Sequence, residues 1–138
     1  MSFSSCRVLE LPKITDRRGS LTFAEGGRHM PFDIKRIFYL FDVPAGEMRA
    51  AHALKTCQQV IIAISGGFDV SVDDGKAKER FHLNRPDCGL YVPPLVWREI
   101  ADFSPKSVCM VLASEFYDEA DYLDDYAAFN AAVGAQRK

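Results

Sequence analysis

Between Arg7 and Ser114 the apolar positions come in short runs separated by turn residues, which is the period of strands. Arg7 to Leu11 is a predicted first strand that Pro12 ends. Asp16-Arg17-Arg18-Gly19 reads as a turn into an alternating strand from Ser20 to Glu25, and Gly26-Gly27 opens a loop through Pro31. Ile34 to Phe41 is almost continuously apolar or aromatic, as in a strand covered on both faces. After Pro44-Ala45-Gly46, the run Val60 to Ile64 closes on Ser65-Gly66-Gly67. Phe68, Val70 and Val72 then alternate with polar residues, and Asp73-Asp74-Gly75 predicts a hairpin turn into Lys78–Leu83. Gly89–Val92, the rigid Pro93-Pro94 break, Trp97–Ala101 and Ser107–Ser114 complete the series. The tail changes period. Tyr122, Tyr126, Phe129 and Val133 predict a helix from about 118 to 133, capped by Asp118 or Ser114 and closed at Gly134. About ten short strands and one helix imply an all-β, double-sheet jelly roll with a C-terminal helix, and a cavity between the sheets.

The length of 138 residues suits one domain, expected to span 1–138. A formal net charge of -2 points away from nucleic acid and from a membrane surface, and no run of about 20 apolar residues is present to span a bilayer. The opening Met-Ser-Phe-Ser-Ser-Cys-Arg lacks a signal peptide's apolar core. Cys6, Cys57, Cys88 and Cys109 are scattered singly, which reads as small buried thiols, and the expected compartment is cytoplasmic.

The candidate chemistry lies in the stretch from Gly46 to Gly66. Gly46, His52, Leu54, Gln59 and Gly66 keep the spacing of the first cupin motif, but Leu54 and Gln59 stand in metal-ligand slots. In the second motif, Pro93-Pro94-Leu95-Val96-Trp97-Arg98 puts Leu95 in a glycine slot and Arg98 in the slot of the last histidine. One imidazole beside a leucine and a guanidinium lacks the convergent donors a transition metal needs, so no metal and no cofactor is expected. A histidine and an arginine on one cavity instead suit proton transfer next to a carbonyl, with His52 as base and a donor on the enolate oxygen. Alternation places Ala50, His52 and Leu54 on one face, so Arg49 reaches the same site only if the chain is bulged or still turning after Gly46.

Several segments together resemble one family: 16–21, 31–42, 49–53, 89–97 and 111–122, including Arg18-Gly19-Ser20, Arg49-Ala50-Ala51-His52 and Tyr117-Asp118-Glu119-Ala120-Asp121-Tyr122. They are similar to the sugar 3,4-ketoisomerases of the WxcM-like cupin family. The resemblance implies a metal-independent enzyme of deoxysugar biosynthesis for cell-surface glycans. It implies a substrate, dTDP-4-keto-6-deoxyglucose, whose carbonyl moves from C4 to C3, and a homodimer that exchanges N-terminal strands. It implies His52, Tyr39 and Arg98 as catalytic residues, and Arg18, Arg36, Arg49, Lys55, Gln59 and Trp97 as substrate-binding ones. The departure is Leu54, which replaces the second histidine of the family's Arg-x-x-His-x-His run. That replacement keeps open an alternative: an impaired cupin that binds a nucleotide sugar as a sensor or partner subunit.

Overall fold

The computed structural model describes residues 6–136; the segment 1–5, on which the signal-peptide reading rests, lies outside the described residues. Its strands are β1 (Arg7–Glu10), β2 (Lys13–Asp16), β3 (Gly19–Thr22), β4 (Arg36–Phe41), β5 (Arg49–Leu54), β6 (Gln59–Ser65), β7 (Phe68–Asp73), β8 (Lys78–Leu83), β9 (Cys88–Val92), β10 (Trp97–Ala101), β11 (Val108–Ala113) and β12 (Tyr122–Leu123). One helix, α1 (Tyr126–Gln136), follows. Two five-stranded sheets face each other, ordered β1-β9-β6-β11-β4 and β12-β5-β10-β7-β8. This is the all-β double-sheet architecture that the strand periodicity implied, with one C-terminal helix.

Alternation explains the core. The inward positions of both sheets, among them Ile61, Val70, Leu90, Val92, Ile100 and Val111, pack into one cluster between the sheets. The outward positions of the first sheet, Val60, Ile62, Tyr91 and Leu112, pack under Met30 and Phe32 of the 23–34 loop. On the second sheet the outward Ala53 and Trp97 pack under Phe129 and Val133 of α1. Gly66 shows why the motif keeps a glycine: its φ is +66°, and a Cβ would lie 2.6 Å from Ser104 Oγ.

Three expectations about the helix are corrected: its start, its cap and its close. The helix begins at Tyr126 rather than near 118, because Tyr122 and Leu123 pair with Leu54 and Ala53 of β5. Asp118 caps a short 3₁₀ turn at Glu119–Asp121 instead. Asp125 starts the helix: its Oδ1 accepts from Ala127 N–H at 3.1 Å and its carbonyl from Phe129 N–H at 3.0 Å. Gly134 lies within the helix rather than beyond it. Residues 13–16, which carry no apolar alternation, form β2 because they pair with β3 in a hairpin around Arg17-Arg18. Strand β1 pairs with β9, Arg7 opposite Tyr91, with the guanidinium 4.8 Å from the ring centre.

Three of the cysteines, Cys57, Cys88 and Cys109, are buried free thiols, and Cys6 is half-buried and also free. Burial pushes the Cys109 thiol up to about 12. Among the described residues, no helix is long and apolar enough to cross a membrane.

Candidate active site

A cavity of about 110 Å³ opens between the sheets, lined by Arg49, Ala50, His52, Arg98, Ile100 and Tyr122 from the second sheet and Phe38, Leu40, Gln59, Ile61 and Val111 from the first. This is smaller than the roughly 300–1,000 Å³ typical of a site that engulfs a whole drug-sized ligand. It suits one ring seated inside with the rest of the ligand across the mouth.

Of the two routes open to Arg49, a bulge or a turn after Gly46, the strand takes the bulge. In the β5–β10 ladder, Arg98 is opposite His52 and Glu99 is opposite Ala50, so Ala51 has no partner. Ala50 and Ala51 take φ values of +74° and +56°, a left-handed pair that costs non-glycine residues of the order of 1–2 kcal/mol each. This strain rotates the strand so that Arg49, Ala50 and His52 all face the cavity. Another left-handed residue, Leu95 at φ +59°, occupies the glycine slot before Arg98, and its N–H donates to Leu54 O at 2.8 Å.

His52 Nδ1 lies 3.2 Å from the carbonyl oxygen of Ala50. A carbonyl only accepts, so Nδ1 carries the hydrogen and Nε2 is left with its lone pair. Burial, reinforced by the Arg98 charge, pulls the imidazole down from 6.5 to about 4, which keeps it neutral at physiological pH.

Arg98 is 1% exposed. Its Nη1 donates to Gln59 Oε1 at 2.8 Å and its Nη2 to the Val96 carbonyl at 2.9 Å. Burial lowers it to about 10, still cationic at neutral pH. The Nε of Arg98 and the Nε2 of Gln59 are buried donors without a partner among the described residues. A buried N–H left unpaired costs about 1–3 kcal/mol, so these two, one from each sheet and both on residues that line the cavity, suit an acceptor bound between them. Gln59 holds a metal-ligand slot but serves as the acceptor that orients Arg98.

Tyr122 closes the cavity from β12. Its ring is edge-on to His52, centroids 4.9 Å apart, and its hydroxyl accepts from Arg36 Nη1 at 3.4 Å. Arg36 also lies 5.1 Å from the Phe38 ring centre, which puts it at the cavity's rim. Leu54, fully buried, packs with Cys57, Ala113 and Tyr122 and presents no polar atom.

Of the residues the sequence proposed, the fold gathers His52, Arg98, Gln59 and Arg49 at the cavity, with Arg36 beside it. Four lie elsewhere. Tyr39 is corrected to the outer face of β4, 59% exposed and stacked near Phe41, because alternation turns Phe38 and Leu40 inward. Trp97 is corrected to the outer face of β10, under α1, with its Nε1 donating to Glu99 Oε2 at 2.9 Å. Lys55 follows β5 with an exposed side chain away from the cavity lining. Arg18 sits at the β2–β3 turn, ion-paired with Asp16 at 2.7 Å and largely exposed. Sequence reading missed Tyr122, Phe38 and Leu40. The signal for Phe38 and Leu40 was their alternation with Tyr39, whereas Tyr122 was absorbed into a helical period. Among the described residues, no group of three or more His, Cys, Asp or Glu side chains converges to hold a metal.

Residues 4–134 match the family model described as FdtA: WxcM-like, C-terminal. The TDP-4-oxo-6-deoxy-alpha-D-glucose-3,4-oxoisomerase of Aneurinibacillus thermoaerophilus is 45% identical over 127 residues, covering 92% of this chain and 91% of that protein. A sugar 3,4-ketoisomerase from Thermoanaerobacterium thermosaccharolyticum, solved in complex with TDP, superposes with a TM-score of 0.94 at 36% identity, covering 96% of this chain and 97% of the other. The TDP-quinovose 3,4-ketoisomerase of Campylobacter jejuni superposes with a TM-score of 0.89 at 44% identity, covering 93% and 98%.

Proposed function

The chain belongs to the FdtA, WxcM-like C-terminal family and is a sugar 3,4-ketoisomerase, and from that premise we propose that it converts TDP-4-keto-6-deoxyglucose to the 3-keto isomer through an enediol, with His52 as the base and without a metal. The observation that carries this reading is the pairing of an unprotonated His52 Nε2 with the unpartnered donors of Arg98 and Gln59 across one small cavity. In this reading the sugar ring enters the cavity and Nε2 takes the C3 proton. Charge then develops on the C4 oxygen, where a fixed cation and a neutral N–H donor stabilise it more than they stabilise the ketone. Arg49 and Arg36 stand at the mouth, where a diphosphate would cross it.

We also propose a homodimer with exchanged N-terminal strands. The β2–β3 hairpin supports it: Ile14 is 61% and Leu21 57% exposed, and neither strand joins one of the two large sheets of its own chain. Crossing to a partner would bury these side chains and carry Arg18 toward the partner's cavity mouth. The single-domain reading of 1–138 and the cytoplasmic address remain proposals of the same kind.

Leu54 favours a second reading, a nucleotide-sugar binder without turnover, since no imidazole stands at that position. Incubation with TDP-4-keto-6-deoxyglucose in deuterated water, followed by NMR at C3 and C4, separates the two. Isomer formation with label at the exchanging carbons is the expected result. Binding without exchange or product would establish the second reading.

A further inference from the structure

Tyr122 stands directly opposite Leu54 in the β12–β5 ladder and packs against it. Cross-strand partners share a face, so the phenol fills the space beside His52 that a longer polar side chain at position 54 would reach. Its hydroxyl accepts from Arg36 Nη1, which leaves its own hydrogen free to point into the cavity it lines.

We propose that Tyr122, supported by Arg36, is the second proton-transfer residue of this ketoisomerase and does the work that Leu54 does not. The inference rests on the ketoisomerase reading above. His52 Nε2 removes the C3 proton, and that electron pair forms the C3–C4 double bond. The C4 carbonyl pair moves to oxygen, which takes the Tyr122 proton, giving an enediol, an imidazolium and a phenolate. The phenolate then removes the O3 proton, the O–H pair becomes the C3 carbonyl, and the double-bond pair takes a proton at C4 from the His52 imidazolium. Both residues return to their starting states. The two carbon transfers belong to His52 and the two oxygen transfers to Tyr122, so one histidine suffices.

The test uses the full chain with TDP-4-keto-6-deoxyglucose. Tyr122→Phe should lower kcat by about 10²–10⁴ while KM stays within about threefold, since the ring and its stacking remain. Site-specific 3-fluorotyrosine at position 122 keeps the shape and makes the phenol more acidic. It should change kcat by at least about twofold, which a tyrosine that only packs would not do. Parental kcat in Tyr122→Phe, or indifference to fluorination, overturns this inference and leaves the ketoisomerase intact. If Tyr122→Phe fails to fold, the fluorinated protein decides alone. Absence of turnover and of C3 exchange in the parent protein removes both readings together.

Discussion

The two sheets divide the labour unequally. The second sheet supplies every charged or titratable side chain that lines the cavity, Arg49, His52, Arg98 and Tyr122, and α1 seals its back over Trp97 through Phe129 and Val133. The first sheet supplies an apolar wall of Phe38, Leu40, Ile61 and Val111 with Gln59 as its polar member. Its back is sealed only in part. The 23–34 loop covers Val60, Ile62 and Leu112, whereas Ile37, Tyr39 and Phe41 on β4 are 54%, 59% and 60% exposed. Side chains that must hold a catalytic geometry sit where their own chain fixes both faces of the sheet. The first sheet, which lends the site Gln59 and, at the rim, Arg36 but is mostly an apolar wall, leaves its β4 edge for something else to cover, and a second copy is the proposed cover.

The largest effect should come from the sealed sheet. His52→Asn keeps a hydrogen-bonding amide at the site but no acceptable base, and ketoisomer formation should fall by about 10²–10⁴. Calorimetric binding of TDP should change little, as should the oligomeric state in light scattering. Loss of TDP binding in this variant would mean that His52 holds ligand rather than moving protons.

On the bare sheet the opposite split is expected. Ile37→Glu combined with Phe41→Glu puts two charges on the exposed strip, where an interface tolerates them poorly, and should raise the dimer dissociation constant by about 10²-fold. Thermal stability of the monomer should hardly move, since both side chains already face water. Sedimentation of the parent as a monomer at micromolar concentration would end the dimer proposal.

The pH dependence ranks next. An ordinary histidine base with a pKa near 6.5 is about 97% protonated at pH 5, so its activity there would be about thirtyfold down. His52, pulled down to about 4 by burial and then by Arg98, should keep most of its activity at pH 5 and lose it only near pH 4. The linkage sign agrees: the unfolded chain takes up a proton near pH 6.5 that the folded one refuses until about pH 4. Folding stability from this group is therefore complete above 6.5 and declines as pH falls through that window. A kcat/KM profile with its acid limb at 6.5 would show that His52 is more solvated than its surroundings imply.

Much of this division was legible in the sequence, and the illegible part has a common cause. Alternation in 68–72 and the Asp-Gly turn fixed β7 and β8, because strand and turn chemistry are local. The spacing from Gly46 to Gly66 identified His52, and counting faces left Arg49 needing either a bulge or a turn after Gly46. Tyr39 and Trp97 failed where family motif outweighed alternation: each neighbours an inward residue, Phe38 or Leu40 and Arg98, and so faces out. Tyr122 was illegible for another reason. A tyrosine four residues before Tyr126 fits a helix, and only its pairing with Leu54, 68 positions earlier in the chain, makes it a strand residue on the cavity.

The smallest effect sharpens the comparison by loosening the seal itself. Asp125 starts α1 by accepting from Ala127 N–H, so Asp125→Ala leaves that donor to water and should cost about 1 kcal/mol. For a domain of 138 residues that is a shift of roughly 3–4 °C in thermal midpoint. The fraying should stay in the first turn, because Phe129 and Val133 remain buried against Ala53 and Trp97. Position 97 is next to Arg98 but faces the other way, so its ring can shift slightly without moving the guanidinium, whose Nη groups are held by Gln59 and the Val96 carbonyl. The expected outcome is therefore a lower midpoint at unchanged kcat. A fall in kcat alongside the midpoint would show that the helix sets the cavity geometry rather than merely covering the sheet behind it.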